Sequence, residues 1–351
     1  MSTVSTIGST VAAPRIGSPF ELEEVDCLLC GRGDYEAVLS SPDRATGIGR
    51  EFHVVRCLAC GLHYTNPRPT AETIGPFYPD DYRPWDGKEE RRPARGRLMK
   101  SLERAVLETW FGYPRSTRTG WLPRPLAARL GLLWIRRSRQ RQSWIPWRAP
   151  GRLLDFGCGG GNFLVQMREF GWNVQGMDVS PACARAVTAR TGIPVHVGTL
   201  PHPAVARGSF DVITLWNSLE HVHHPRATVQ AVREALAPGG LIVVGVPNID
   251  SWTFRQFGLD WHPLDLPRHL THFTPPTLSR LLEAEGFRVL SIEHVARPGF
   301  LRHSVELLEE SGRGSRRLDR LRNGPLARAA ANRAERHTEA DFIRAVAMKA
   351  A

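Results

Sequence analysis

No stretch of this sequence approaches the roughly 18 consecutive apolar residues of a membrane-spanning helix, which excludes an integral membrane protein of the helical kind. A secretory signal is missing as well: MSTVSTIGSTVAAPRIGSPF has no charged start followed by an apolar run, so residues 1–20 read as a flexible leader. The chain shows no internal repeat and no sustained heptad pattern, which argues against a solenoid or a coiled coil. Lysine is scarce, so the net charge of +11 comes almost wholly from arginine. Such a surplus favours acidic partners, although arginine usage also follows genome composition. Cysteine is scarce too. Four of the six cysteines form two C-x-x-C pairs, which without an export signal point to a metal site rather than disulfides.

What is present is a chain of 351 residues, 42% hydrophobic, long enough for one sizeable domain and smaller pieces. Residues 21–85 carry both cysteine pairs among short alternating segments. Residues 86–148 are basic, rich in Pro and Trp, and partly helical in pattern (GRLMKSLERAVLETWF, PLAARLGLLWIRRSRQRQ). From 149 to 351 the texture is α/β: RLLDFG, WNVQGMDV, IPVHVG, FDVITLW and LIVVGVP alternate with helix-like segments, as parallel strands covered on both faces do. A helix (TLSRLLEAEGF) and a strand (FRVLSIEHV) follow, then an Arg- and Ala-rich helical insertion over about 301–338. The last apolar run, FIRAVAMKA, is expected to pair antiparallel at the edge of the sheet.

LLDFGCGGGNFL places a buried strand, a glycine cluster and a helix in succession. Gly157, Gly159 and Gly161 let the backbone turn sharply and approach a ligand, towards which the helix from Asn162 points free N–H groups. A dinucleotide site would want its third glycine where Asn162 stands. Asp155, ahead of the loop, suits a ligand with a positive amino group. Asp178, ending the next strand, suits the two hydroxyls of a ribose.

These residues, with FDVITLWNSLEHV and the Pro238-Gly239-Gly240 turn in LAPGGLIVVGVPN, resemble class I S-adenosylmethionine methyltransferases. The similarity is greatest to the ubiquinone-biosynthesis-type group acting on small molecules and sugars. The resemblance spans about residues 150–300. It implies a Rossmann-like, seven-stranded doubly wound sheet with S-adenosylmethionine as cofactor, Gly157, Gly159 and Gly161 around its methionine part, and Asp178 on its ribose. Val179 and Asn217 complete the expected cofactor site. The acidic residue that often reads the adenine is replaced by Gly198-Thr199-Leu200, which leaves adenine to backbone groups and to packing on Leu200.

Methyl transfer from a sulfonium is an in-line displacement, so positioning is the enzyme's main task, and an alcohol or C–H acceptor also needs a base. Two clusters offer histidine. Glu220 and His221, just past the fourth strand, belong at the carboxyl ends of the strands where ligands bind. DLPRHLTHFTPPTL resembles the family's Pro-Arg-His segment, which implies that Arg268, His269 and His272 line the acceptor pocket. His221 and His269 are both candidates for the base. A fixed loop or a helix cap would explain either without catalysis. The Asn/Asp-Pro-Pro-aromatic string that grips a flipped base is absent, since Trp216-Asn217-Ser218-Leu219 stands there, so nucleobase amines are not expected targets.

Cys27, Cys30, Cys57 and Cys60, each pair followed by a glycine, have the spacing of a closed, structural four-cysteine zinc site in a small ribbon-like module. GLHYTNPRPTAETIGPFYPDDYRPW resembles a segment that follows such a module in certain sugar and small-molecule methyltransferases, which implies that Tyr78 or Tyr82 reaches the acceptor. Trp110, Trp121, Trp134, Trp144 and Trp147 lie among arginines over 110–148. That mixture suits a membrane surface, single-stranded RNA, or a helix packed on the core with a solvated basic end. The sequence therefore predicts a cytoplasmic methyltransferase of a small-molecule, sugar or lipid-linked acceptor, methylating oxygen first and carbon as a variant. Peripheral contact with the inner membrane surface is one reading of the linker. An RNA methyltransferase and a non-enzymatic cofactor-binding scaffold are the alternatives.

Overall fold

The computed structural model describes residues 20–78, 97–115, 125–126, 129–131, 144–314 and 316–350. In chain order its strands are β1 (Leu22–Glu23), β2 (Tyr35–Ser41), β3 (Phe52–Cys57), β4 (His63–Thr65), β5 (Arg68–Pro69), β6 (Arg152–Phe156), β7 (Asn173–Asp178), β8 (Val195–Val197), β9 (Phe210–Trp216), β10 (Leu236–Pro247), β11 (Thr271–His272), β12 (Phe287–His294) and β13 (Phe342–Lys349). Seven of them form one sheet in the order β12-β13-β10-β9-β6-β7-β8. Neighbours pair in parallel except at β13, which is antiparallel to both β10 and β12. This is the class I, Rossmann-like methyltransferase sheet.

The sequence placed FIRAVAMKA at the sheet's edge, and the structure corrects this. β13 is inserted between β10 and β12, because its first six residues are buried on both faces and an edge position would expose one side of the strand. β12 takes the edge, with Arg288 and Leu290 exposed. Similarly, β9 and the second half of β10 are almost wholly buried, which explains their unbroken apolar character.

Helices cover both faces. Asn162–Glu169 packs on one face together with Val106, Leu107, Trp144 and Ile145 from the segment ahead of the domain. Pro225–Ala235 and Pro275–Ala284 cover the other. Their starts follow the local rules: Ser180 caps Pro181–Thr191 by accepting from the Cys183 N–H, and Thr274 with Thr277 forms a capping box for Pro275–Ala284. Strand order reverses about β6, with β7 on one side and β9 on the other. The loops after β6 and β9 therefore flank the crevice where an open α/β sheet binds its ligand.

The cysteine-bearing segment is knitted into this body. β2, β3 and β4 form an antiparallel sheet whose fourth strand is β11, so Tyr64 pairs with Thr271 and His63 with His272. Leu29, Leu62 and Tyr64 join the apolar cluster beneath Pro225–Ala235. Phe20, Phe52 and Phe77 form another with Trp261, Leu301 and Val305, which seats the module on the helix Pro298–Glu310 of the insertion.

Two of the linker tryptophans point inward. Trp144 is buried and its Nε1 donates to Glu103 of the helix Arg97–Trp110, while Trp147 packs on Trp172 at 4.5 Å. Trp144 belongs to the apolar cluster on this face of the sheet, and Trp147 packs against it. Trp110 is 61% exposed. Trp121, Trp134 and the run IRRSRQRQ lie outside the described residues, as does Tyr82. No helix among the described residues is long and apolar enough to cross a membrane.

Candidate active site

The loop after β6 has the conformation its glycines anticipate. Gly157, Gly159 and Gly161 stand at φ of +72°, +47° and +71°, a region costly for any side chain with a Cβ. Space is limiting as well. A Cβ on Gly157 would lie 2.6 Å from Ser218 Cβ, and one on Gly161 2.6 Å from Val187 Cγ1. The loop thus lies directly against the segment after β9.

Asp178 is held at the end of β7 by the backbone N–H groups of Gly159 and Ser180, each at 2.9 Å. Burial raises its pKa, against the lowering effect of those donors. Asp155 is buried under the loop and accepts the Thr214 hydroxyl at 2.6 Å. Desolvation pushes its carboxyl up to about 7. Val179, next to Asp178, is an exposed apolar side chain at 60%, and Leu200 is buried. Asn217 adopts a left-handed φ of +51°, and its amide donates to Glu220 Oε1 at 3.2 Å. Its side chain positions that carboxyl.

Across the crevice, Glu220, His221 and His269 each present an atom within 4.8 Å of those of the others. Both histidines are fixed by carbonyls. His221 Nδ1 lies 3.0 Å from the Arg268 oxygen and His269 Nδ1 2.8 Å from the Pro263 oxygen. A carbonyl only accepts, so each Nδ1 carries the proton and each Nε2 the lone pair. The rings meet edge to face at 4.6 Å. Burial lowers the pKa of both, that of His269 strongly, and the two imidazoles are neutral at physiological pH. Glu220 is 1% exposed, with Oε2 lacking a hydrogen-bond partner, and desolvation pushes its carboxyl up to about 8. The Tyr78 hydroxyl reaches His221 Nδ1 at 3.2 Å, bringing the residue after the phenylalanine cluster into this site.

Arg268 and His272, from the same segment as His269, are engaged in contacts within the protein. Arg268 is buried, donating to Asp43 at 3.0 Å, to Asp265 at 2.6 Å and to the Phe77 carbonyl at 2.7 Å. It clamps the cysteine-bearing module to the loop, and its own carbonyl sets the His221 tautomer. His272 lies beneath the loop, its Nε2 3.4 Å from Thr65 Oγ1, which itself donates to the His269 carbonyl. Both side chains are buried, Arg268 at 1% and His272 at 4% exposed.

The four cysteines converge. Cys27 and Cys60 sulfurs are 3.4 Å apart, those of Cys30 and Cys57 3.5 Å, and all four lie within 4.8 Å of one another. Each knuckle closes with Gly31 or Gly61 at positive φ, its N–H donating to the carbonyl of the first cysteine. The sulfurs are too far apart for disulfides, whose S–S bond is about 2.05 Å.

A family model described as a methyltransferase domain matches residues 133–292. A ubiquinone biosynthesis O-methyltransferase of Paraburkholderia xenovorans is 30% identical over 170 residues, which cover 44% of this chain and 73% of that one. The chain belongs to the class I S-adenosylmethionine-dependent methyltransferases. A protein of the same description from Idiomarina loihiensis is 32% identical over 153 residues, 40% of this chain and 63% of its own. A solved methyltransferase from Archaeoglobus fulgidus is similar at 19% identity and a TM-score of 0.42, over 62% of this chain and 94% of that one.

For a methyltransferase, the glycine loop is a part that should tolerate a side chain poorly. Gly157→Ala imposes a strained φ of about 1–3 kcal/mol and a clash with Ser218. Calorimetric titration with S-adenosylhomocysteine should show the affinity reduced at least about tenfold. Unchanged affinity would mean that the loop does not hold the cofactor. Sequence reasoning missed Thr214 and Arg268's clamping role. The first had no signal beyond a hydroxyl inside an apolar strand, the second none.

Proposed function

We propose that this methyltransferase forms an O-methyl ether on a small-molecule acceptor, a sugar or lipid-linked compound included, with His221 as the base. One observation carries the reading. His221 Nδ1 is tied to the Arg268 carbonyl, which leaves Nε2 as the basic atom of a ring that burial keeps neutral, three residues after the Ser218 that packs against Gly157. The O-methyltransferase descriptions of the relatives support the choice of oxygen.

Bound S-adenosylmethionine supplies an electrophilic methyl on a sulfonium. Gly157, Gly159 and Gly161 provide the bare backbone to carry it, Asp178 the carboxylate for its ribose, and Val179 with Leu200 the apolar surface for its base. His221 Nε2 would take the proton of the acceptor hydroxyl, while the methyl–sulfur bond breaks as the methyl–oxygen bond forms and S-adenosylhomocysteine would leave as the neutral thioether. Glu220 and His269, packed against the ring, keep water out and hold its orientation. Methyl-labelled cofactor incubated with the protein and a fractionated cell extract tests this. Label in the small-molecule or lipid pool supports the reading, and label confined to RNA overturns it.

The four thiols of Cys27, Cys30, Cys57 and Cys60 suit one structural zinc ion, since tetrahedral Zn–S bonds of about 2.3 Å place sulfurs at about the spacing found here. Four ligands leave no open position, so the ion's part is to fold residues 21–85. Metal analysis should give one zinc per chain, and chelation or Cys57→Ser should lower the melting temperature. A chain that is fully stable without metal would count against the site.

A further inference from the structure

We propose that Arg297, held over the ring of Phe342 at the carboxyl ends of β10 and β12, docks a carboxylate or phosphate of the acceptor, so that the enzyme's substrates are anionic small molecules. The inference rests on the methyl-transfer reading above and adds the class of acceptor.

The position comes from topology. Pro247 at the end of β10 pairs with Phe342 at the start of β13, and β12 ends at His294, three residues before Arg297. Arg297 therefore stands on the ledge where open α/β sheets bind ligands. Its guanidinium carbon lies 4.1 Å from the centre of the Phe342 ring and 5.9 Å from that of Phe300. Phe342 and Trp216 meet over Gly245: a Cβ there would be 2.8 Å from Phe342 Cζ and 2.5 Å from Trp216 Cε3. Trp216 packs against Phe163 of the glycine-loop helix at 5.7 Å and directly precedes Asn217. One aromatic wall thus runs from the cofactor loop to Arg297.

The donors on this wall are unmet. Arg297 Nε and Trp216 Nε1 are buried with no hydrogen-bond partner, a costly state for a donor that a ligand's acceptor oxygen would relieve. A guanidinium stacked on a ring is pre-oriented, and its planar fork matches carboxylate and phosphate. Asp341 is the acid that acts on it. Burial pushes the Asp341 carboxyl up to about 7 and draws Arg297 down to about 10.

Calorimetry on the full chain saturated with S-adenosylhomocysteine tests this, with 3,4-dihydroxybenzoate as the carboxylate, inorganic phosphate as the phosphate, and catechol as the neutral control. In the wild type an anion binds and catechol binds more weakly. Arg297→Met should weaken the anion by about 10–100-fold and leave catechol and S-adenosylhomocysteine unchanged, with Arg297→Lys in between. Whichever of carboxylate and phosphate binds more tightly identifies the group. Catechol binding as tightly as dihydroxybenzoate, equal anion affinity in Arg297→Met, or no heat with either anion overturns the proposal. Anion binding lost in Arg297→Met, with no methylated product from any acceptor, would preserve the subsite and sink the O-methyl reading instead.

Discussion

His221→Ala is expected to lower kcat by about 10²–10⁴-fold, the usual contribution of a positioned base, while leaving cofactor affinity intact. The imidazole is none of the groups assigned to the cofactor, and it follows by three residues the Ser218 that packs against Gly157. The wild-type pH profile should carry the same signature. A base works only when unprotonated, and burial lowers the His221 pKa from 6.5. The acid limb of kcat should therefore fall below pH 6.5, and it should vanish in the variant. His269→Ala separates the two imidazoles. Because His269 Nδ1 is likewise tied to a carbonyl, its loss should disturb the packing of His221 and cost less than removing His221 itself. Single-turnover rates for both variants decide the matter: an undiminished rate in His221→Ala, with a large loss in His269→Ala, would move the base to the second ring.

The conformation of the glycine loop was legible because it is set locally. Three positive φ angles within five residues demand glycine, and strand ends demand their acids at fixed offsets. The convergence of four cysteines was legible for the same reason, from two short spacings. Strand order is a different kind of property. Nothing within FIRAVAMKA distinguishes an edge from an interior position, because both read as apolar, and only the exposed residues of β12 reveal which strand is outside. Trp144 and Trp147 show a related limit. A ring among arginines looks the same whether it meets solvent or the core, and the deciding partners, Glu103 and Trp172, lie elsewhere in the chain. Arg268 is the furthest case. Its partner Asp43 is 225 positions away, so the sequence offered a basic residue in a histidine-rich loop and no reason to bury it.

That burial gives the second large effect. Arg268 and Asp43 have side chains 1% and 0% exposed, and removing one member of such a pair leaves the other charged and dry. Arg268→Met should therefore cost about 3–5 kcal/mol, read as a fall in the melting temperature or in the denaturation midpoint. Arg268→Lys should recover only part of this, because an ammonium cannot reproduce the fork that meets Asp43, Asp265 and the Phe77 carbonyl together. The pH dependence follows in sign. Burial alone would raise the Asp265 carboxyl, but His269 and Arg268 together hold it at about 2, against 3.8. Of these two, only Arg268 stays charged throughout, since His269 is neutral until strongly acidic pH. A carboxyl depressed by folding adds stability that is complete above its unfolded value and is lost as pH falls through its folded one. Without Arg268 the Asp265 carboxyl rises, and acid unfolding should begin at higher pH than in the wild type. Because the same residue's carbonyl fixes the His221 tautomer, any folded Arg268→Met protein should also lose kcat through a misoriented base. A variant as stable as the wild type would show that Asp43 and Asp265 are satisfied without the clamp, and that the module is held to the methyltransferase body by its apolar clusters alone.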